Sequence, residues 1–214
     1  MQNFFDSDGL FARFMNRLWD LILISILWVA CSLPLITAGA ATTAAYYAMA
    51  KAVRHHTGKI IPEFFSAFRT NFKQATAFTL IYAALLLFLI FDCSYMFGNE
   101  AAGSLPLLYM FYLMILMVIS HGSYLFPFLS RFSMTGFRLF RMAAIVMFRH
   151  LLSTVLLLLL IAALLLGLYL MPWGILVFPG IVLYAESFLM EKILLKYSPK
   201  PEEGSEEAQK WYYQ

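Results

Sequence analysis

The sequence predicts an all-α, polytopic membrane protein, in which about six transmembrane helices form a bundle with interfacial amphipathic helices beside it. Of the 214 residues, 62% are hydrophobic and only 13% are charged, and the mean hydropathy is +0.77. Soluble domains average about 45–50% apolar and 25% charged residues. Long apolar runs recur along the chain, and most lysines and arginines flank them. A core of this size cannot hide so much apolar surface, so lipid must solvate much of it.

The first apolar stretch, Leu18–Ala52, is broken in its middle at Leu33-Pro-Leu-Ile-Thr-Ala-Gly39. Pro34 lacks an N–H and clashes with the preceding turn, so a helix that arrives there must kink or stop. Two full crossings need about 40 apolar residues, slightly more than this stretch provides. Basic residues flank both of its ends, at Arg13, Arg17, Lys51 and Arg54. The positive-inside rule therefore places both ends in the cytoplasm. Two short spans are favoured, and a re-entrant pair is the alternative.

Small side chains follow the break without interruption from Ala38 to Ala45. In a bilayer, small residues let helix backbones approach closely, and packing then holds the helices together. The break and its small residues are therefore predicted to form a surface that docks on a partner inside the membrane. The predicted docking residues are Pro34, Thr37, Gly39, Ala41 and Thr42.

An amphipathic helix is predicted after the next polar loop. Pro62 can open this helix, because the first turn tolerates a missing N–H. Phenylalanines then recur every four residues, at Phe64, Phe68 and Phe72. This spacing puts one apolar stripe on the helix and is typical of a helix that lies at the membrane interface.

The third and fourth spans are predicted at residues 75–97 and 107–129. No lysine or arginine occurs between Lys73 and Arg131. The loop between these spans is rich in turn-forming residues. Because basic residues favour the cytoplasmic side, this loop is predicted to lie outside.

A basic amphipathic helix is predicted from Arg131 to His150. At about 100° per residue, four of its arginines project in similar directions. They are Arg131, Arg138, Arg141 and Arg149. A basic stripe at the inner leaflet attracts anionic lipid by about 1 kcal/mol per charge, so membrane lipid is an expected partner.

The last two spans are predicted at residues 151–170 and 175–195, joined by the short outer turn 171–174. The first of them is free of charges, and the polar stretch 198–214 follows the second. Residues 1–197 are thus expected to form one transmembrane domain, and residues 198–214 a cytoplasmic tail. Six spans in three hairpins place both termini in the cytoplasm.

Three ionisable residues inside the predicted spans are candidates for function, since such residues are costly in lipid. Asp20 lies close enough to Arg17 to sit at the interface. His121 and Glu186 are predicted at comparable depths, roughly 15 Å and 9 Å from the basic ends of their helices. They could form one hydrogen bond that pins two helices together, which is favoured, or line a polar path.

Nothing in the sequence favours an enzyme. No nucleophile motif, phosphate-binding loop or nucleotide signature occurs. His55 and His56 lack further ligands at metal-binding spacing, and Cys31 and Cys93 both fall within apolar runs. The chain is therefore expected to be non-enzymatic, without a cofactor or a metal. Its basic residues flank the apolar runs and therefore indicate which loops lie in the cytoplasm, so a nucleic-acid partner is not expected.

The motif Leu33-Pro-Leu-Ile-Thr-Ala-Gly39, followed by Ala-Ala-Thr-Thr-Ala-Ala-Tyr-Tyr47, resembles the YesL family of bacterial membrane proteins. The similarity continues through Phe64-Phe65, Phe68, Asn71-Phe-Lys-Gln74 and Phe148-Arg-His150. Genes of this family commonly lie beside those of carbohydrate ABC importers. The resemblance therefore implies a bacterial cell membrane protein connected with sugar uptake, and it supplies no catalytic residues.

The expected function is an accessory or regulatory subunit that associates with the permease subunits of a carbohydrate ABC importer. Two alternatives stay open. One is a small independent transporter or channel that uses Asp20, His121 and Glu186. The other is a membrane scaffold for a sensor or signalling partner. The sequence does not give the oligomeric state.

Overall fold

A computed structural model describes residues 10–98 and 105–198 of the chain. Among these residues, 92% are helical and none lies in a strand. The predicted all-α class is therefore confirmed. The predicted tail lies outside the described residues, apart from Ser198.

Seven α-helices make up the bundle, and shorter helical turns join some of them. The helices are α1 (Leu10–Ser32), α2 (Ala38–Ala48), α3 (Ile60–Gly98), α4 (Leu105–Arg131), α5 (Gly136–Arg149), α6 (Leu151–Leu170) and α7 (Phe178–Tyr197). A 3-10 turn at Leu35–Thr37 precedes α2, and a π-helical segment at Met49–Arg54 continues it. A second 3-10 turn at Pro172–Leu176 precedes α7.

Four of these helices, α1, α3, α4 and α6, are long and apolar enough to cross a membrane. This finding supports a membrane protein, but it does not confirm the predicted count of about six spans. The second predicted span is α2 with its π-helical continuation, which together cover only residues 38–54. The sixth is α7, which carries four ionisable residues at Glu186, Glu191, Lys192 and Lys196.

One continuous helix, α3, replaces the predicted interfacial helix and third span. It has 39 residues and is therefore roughly 58 Å long, about twice the thickness of a bilayer core. No glycine or proline separates the phenylalanine stripe from the apolar run, so the helix has no reason to stop there. The stripe packs on itself: the rings of Phe64 and Phe68 stack with centroids 6.2 Å apart, and Phe64 is fully buried.

The short helix α2 lies at the centre of the bundle. It packs most extensively against α3, and it also contacts α1, α4 and α7. Most of its residues are buried, including every alanine from Ala40 to Ala48. Because these side chains are so small, four neighbouring helices can approach α2 closely. The break that produces α2 lies where Pro34 predicts it, since α1 ends at Ser32 and α2 begins at Ala38.

The first and last helices cross at close range near Gly180. Its backbone N–H donates a hydrogen bond to the Ser25 hydroxyl oxygen (2.8 Å), and that hydroxyl donates to the Leu21 carbonyl (2.9 Å). A Cβ atom on Gly180 would overlap the Leu21 backbone oxygen. A glycine is therefore required for this approach of α7 to α1.

Candidate functional site

An ion pair is buried between the ends of α4 and α7. Nη2 of Arg131 lies 2.8 Å and 2.7 Å from the two carboxylate oxygens of Glu191. The two side chains are only 3% and 1% exposed. The hydroxyl of Tyr46, on α2, donates a third hydrogen bond to Glu191 (3.1 Å). Three helices thus meet at one carboxylate, and each charge is compensated where water is excluded.

A second arginine, Arg54, contacts α7 at the same end of the bundle. Nη1 of Arg54, in the π-helical segment, donates a hydrogen bond to the backbone carbonyl of Ser187. The Arg54 guanidinium also lies 4.6 Å from the centre of the Phe188 ring. Nearby, the Lys51 ammonium forms a salt bridge of 2.8 Å with Glu63 of α3. These contacts tie the end of the α2 segment to both α3 and α7.

Arg131 does not belong to the predicted basic stripe, because it lies on a different helix from the other three arginines. Arg131 is the last residue of α4, and residues 132–135 separate it from α5. Arg138, Arg141 and Arg149 do lie exposed on α5, while Leu139 and Val146 face the core. Three arginines are therefore available at the surface of this helix.

His121 does not meet Glu186, as the sequence had suggested it could. Its Nε2 atom lies 3.1 Å from the backbone carbonyl oxygen of Phe140 and donates a hydrogen bond to it, and its Nδ1 atom bonds to the hydroxyl of Tyr82. Because Nε2 carries the proton in this arrangement, the Tyr82 hydroxyl is the donor to Nδ1. His121 thereby joins α3, α4 and α5.

The residues of the predicted docking surface face into the chain itself. Ala41 is 0% exposed and Gly39 is buried. The hydroxyl of buried Thr37 donates to the carbonyls of Cys31 (2.6 Å) and Pro34 (2.8 Å), which closes the turn before α2. Of the five residues, Pro34 alone is exposed, at the tip of the hairpin. These contacts correct the prediction: the small residues already pack against their own chain.

Asp20, the remaining ionisable candidate, is half-buried on α1. Arg17 and His56 are the groups that interact with it electrostatically. Neither His121 nor Glu186 is among these groups.

The junction between α5 and α6 carries residues on which the family resemblance rests. The His150 carbonyl accepts a hydrogen bond from the Thr154 hydroxyl (3.1 Å). Burial, together with the charges of Lys196 and Arg149, lowers the pKa of His150 below its ordinary value. His150 thus lies at the junction where α5 ends and α6 begins.

A cavity of about 410 Å³ lies between six of the helices. Small-molecule sites in proteins have volumes of about 300–1,000 Å³. Fourteen of its lining residues have hydrocarbon side chains or none, and these come from α2, α3, α4, α6 and α7. The polar lining residues are Trp28, Thr42, Thr79, Tyr82, Ser123 and Glu186.

Glu186 is the ionisable carboxyl group of this cavity. The protein offers it no hydrogen bond or ion pair among the residues that the structure describes. Glu191, five positions along the same helix, is bound by Arg131 and Tyr46. The two glutamates of α7 thus have opposite roles: one is neutralised within the fold, and the other faces empty space. No group of three or more potential metal ligands occurs in ranges 10–98 and 105–198.

Several residues that build this region were not among the candidates from the sequence. Tyr46 and Arg54 bind groups on α7, and their partners lie more than 130 positions away. Local patterns cannot reveal such a pairing. Gly180 did carry a signal, since a glycine inside an apolar run often marks a close helix crossing.

Comparison with known proteins gives one match. A family model described as "Protein of unknown function, DUF624" matches residues 21–93, about a third of the chain. The matched segment runs from α1 through the break and α2 into α3. No curated protein and no solved structure matches the chain.

Proposed function

We propose that this chain is a non-enzymatic integral membrane protein that serves as an accessory or regulatory subunit of a carbohydrate ABC importer. One observation supports a subunit over an independent carrier: polar groups inside the bundle bind one helix to another. His121, Arg131 and Ser25 are all engaged in this way. A carrier must rock between two arrangements, and fixed interhelical bonds oppose that movement.

The choice of an importer rests on sequence similarity. The motif from Leu33 to Gly39 resembles the YesL family, whose members belong to the DUF624 family that matches residues 21–93. We place the chain in the bacterial cell membrane with both termini in the cytoplasm. In this arrangement α2 and α7 complete six crossings, and lipid covers the exposed leucines of α6.

Partner contacts should come from outer faces of the bundle. The small residues of α2 are occupied by α1, α3, α4 and α7. A permease subunit that needed the Ala38–Ala45 surface would have to displace one of these helices. We therefore assign recognition of the permease to helix faces that this chain leaves exposed.

Capture from native membranes tests this proposal. The full chain, with a tag after its last residue, is purified in a mild detergent, and co-purified proteins are quantified by mass spectrometry. We expect permease subunits of one carbohydrate importer in near-stoichiometric amount, because an accessory subunit must remain associated to act. A tagged multi-pass protein of similar size, expressed at the same level, is the control for non-specific capture.

Two outcomes would contradict the subunit proposal. Recovery of the chain alone would do so and would favour an independent transporter or channel. The free carboxyl group of Glu186 in the cavity is the observation that favours this second candidate. Stoichiometric recovery of a sensor kinase without permease would point to a signalling scaffold.

A further inference from the structure

The polar side chains in the wall of the cavity mostly donate their hydrogen bonds to other groups of the same chain. The indole N–H of Trp28 donates to the hydroxyl oxygen of Thr42 (3.0 Å), and the Thr42 hydroxyl donates to the Ala38 carbonyl (2.8 Å). The Thr79 hydroxyl donates to the Ala75 carbonyl (2.8 Å). These donors are therefore satisfied within the wall.

The other donors along the wall are also occupied. The Ser123 hydroxyl donates to the Ile119 carbonyl (3.1 Å), and the Tyr82 hydroxyl donates to His121. At the start of α2, the N–H of Gly39 donates to the Thr79 hydroxyl oxygen (3.1 Å). The Glu186 carboxylate is thus the strong polar group that remains for a ligand, and it is an acceptor.

Because the donors in the wall are occupied while the acceptor Glu186 is not, the cavity favours a ligand of positive charge. A carboxylate in an apolar cavity is costly unless a cation pairs with it. An anion would be repelled by Glu186, and it would find every side-chain donor in the wall occupied. A sugar needs donors and acceptors at several hydroxyl groups, whereas the wall is mostly hydrocarbon.

We propose that this cavity is a binding site for a small lipophilic organic cation, whose ammonium group pairs with Glu186 while its hydrocarbon part packs against α3, α4 and α6. Ala83 lines the cavity and is itself exposed, so the cavity reaches the surface of the bundle there. The proposal does not depend on the importer: a subunit could be regulated by such a cation, and a transporter could carry it.

Three ligands with one hydrocarbon cage and different head groups separate charge from shape. Adamantylamine is a cation at pH 7, adamantanol is neutral, and adamantane carboxylate is an anion. Binding of each to the purified full chain in detergent is measured by calorimetry and by the fluorescence of Trp28, in a chain whose other tryptophans are replaced by phenylalanine. We expect the amine to bind at least about tenfold more tightly than the alcohol, and the carboxylate to bind most weakly.

Two variants locate the site. Glu186→Gln keeps the shape but removes the negative charge, so it should weaken amine binding at least about tenfold and leave alcohol binding unchanged. Gly122→Leu should weaken both ligands, because Gly122 lines the cavity, a Cβ atom there would make only an ordinary contact with Phe126, and a larger side chain would occupy part of the cavity. Asp92→Asn is the matched control, since it removes one carboxylate that does not line the cavity. All variants are studied in the same micelles, so partition of the amine into detergent cancels in the comparison.

Equal affinity of the amine and the alcohol for the unmodified chain would overturn the proposal. Tighter binding of the carboxylate, or amine binding that survives Glu186→Gln, would also overturn it. So would the absence of amine binding to the unmodified chain, provided that thermal unfolding shows the chain to be folded. Failure of permease capture would leave these results intact, because no partner protein is present in the binding experiment.

Discussion

Replacing Glu191 with alanine should cost the folded chain about 3–5 kcal/mol of unfolding free energy, because the change leaves the charge of Arg131 buried without its partner. Both side chains are almost completely inaccessible to solvent. The change also removes the acceptor of the Tyr46 hydroxyl. Helices α2, α4 and α7 would then lose the group at which they meet. Unfolding in mixed micelles, with an increasing fraction of dodecyl sulfate, measures the loss.

Two control variants separate the ion pair from general damage to α7. Lys192→Ala changes the next residue, which is exposed, and should alter stability by no more than about 0.5 kcal/mol. The double change Arg131→Met with Glu191→Leu removes both charges at similar volume. It should recover much of the stability lost in Glu191→Ala, since a buried ion pair is often replaceable by apolar side chains. If Glu191→Ala and Lys192→Ala unfold alike, the pair is not buried in the folded chain.

Replacing Gly180 with alanine should destabilise the bundle by about 1–3 kcal/mol, although alanine is a better helix former than glycine. The added Cβ atom would overlap the backbone oxygen of Leu21. A backbone atom cannot rotate away, so α7 must shift from α1. The shift would also stretch the hydrogen bond from Gly180 to Ser25. The same unfolding measurement reports the effect.

The matched control is the same substitution at a glycine with free space around it. The nearest atom to a Cβ at Gly122 is a ring carbon of Phe126 at 3.9 Å, an ordinary contact distance. Gly122→Ala should therefore leave stability unchanged or raise it by up to about 1 kcal/mol, the difference in helix propensity. Equal stability of the two variants would show that α1 and α7 do not cross at Gly180.

The membrane class and the break of the first hairpin could be predicted from local chemistry. Apolar runs long enough to span a bilayer are visible in composition alone. Pro34 removes an N–H and obstructs the preceding turn, so it marks the end of α1 without knowledge of any neighbour. Both conclusions depend only on residues within one helical length of each other.

The internal position of α2 could not be predicted in the same way. Small residues indicate that a backbone will approach closely, but not whether that backbone belongs to the same chain. Arg131 presented a similar difficulty. It lies 60 positions from Glu191, so beside a predicted amphipathic helix it looked like one more interfacial cation. The cavity could not be predicted either, because it forms only where six separate helices come together around Glu186.

The continuity of α3 shows that a change in hydrophobic periodicity does not predict where a helix ends. The amphipathic stripe and the apolar run have different periodicities, which suggested two helices in different environments. Nothing between them breaks a helix, however, and α3 runs through both for 39 residues. A change of environment therefore does not require a change of secondary structure.

The stability of an Ala41→Leu variant, measured on the isolated chain, tests most directly whether α2 packs inside its own bundle. Ala163→Leu is the control, because Ala163 is exposed on α6. Ala41 is completely buried, so we expect Ala41→Leu to lower the unfolding free energy by about 1–3 kcal/mol through overpacking, while Ala163→Leu has little effect. An isolated Ala41→Leu chain as stable as the unmodified one, but unable to retain a partner, would contradict the internal position and restore α2 as a docking surface.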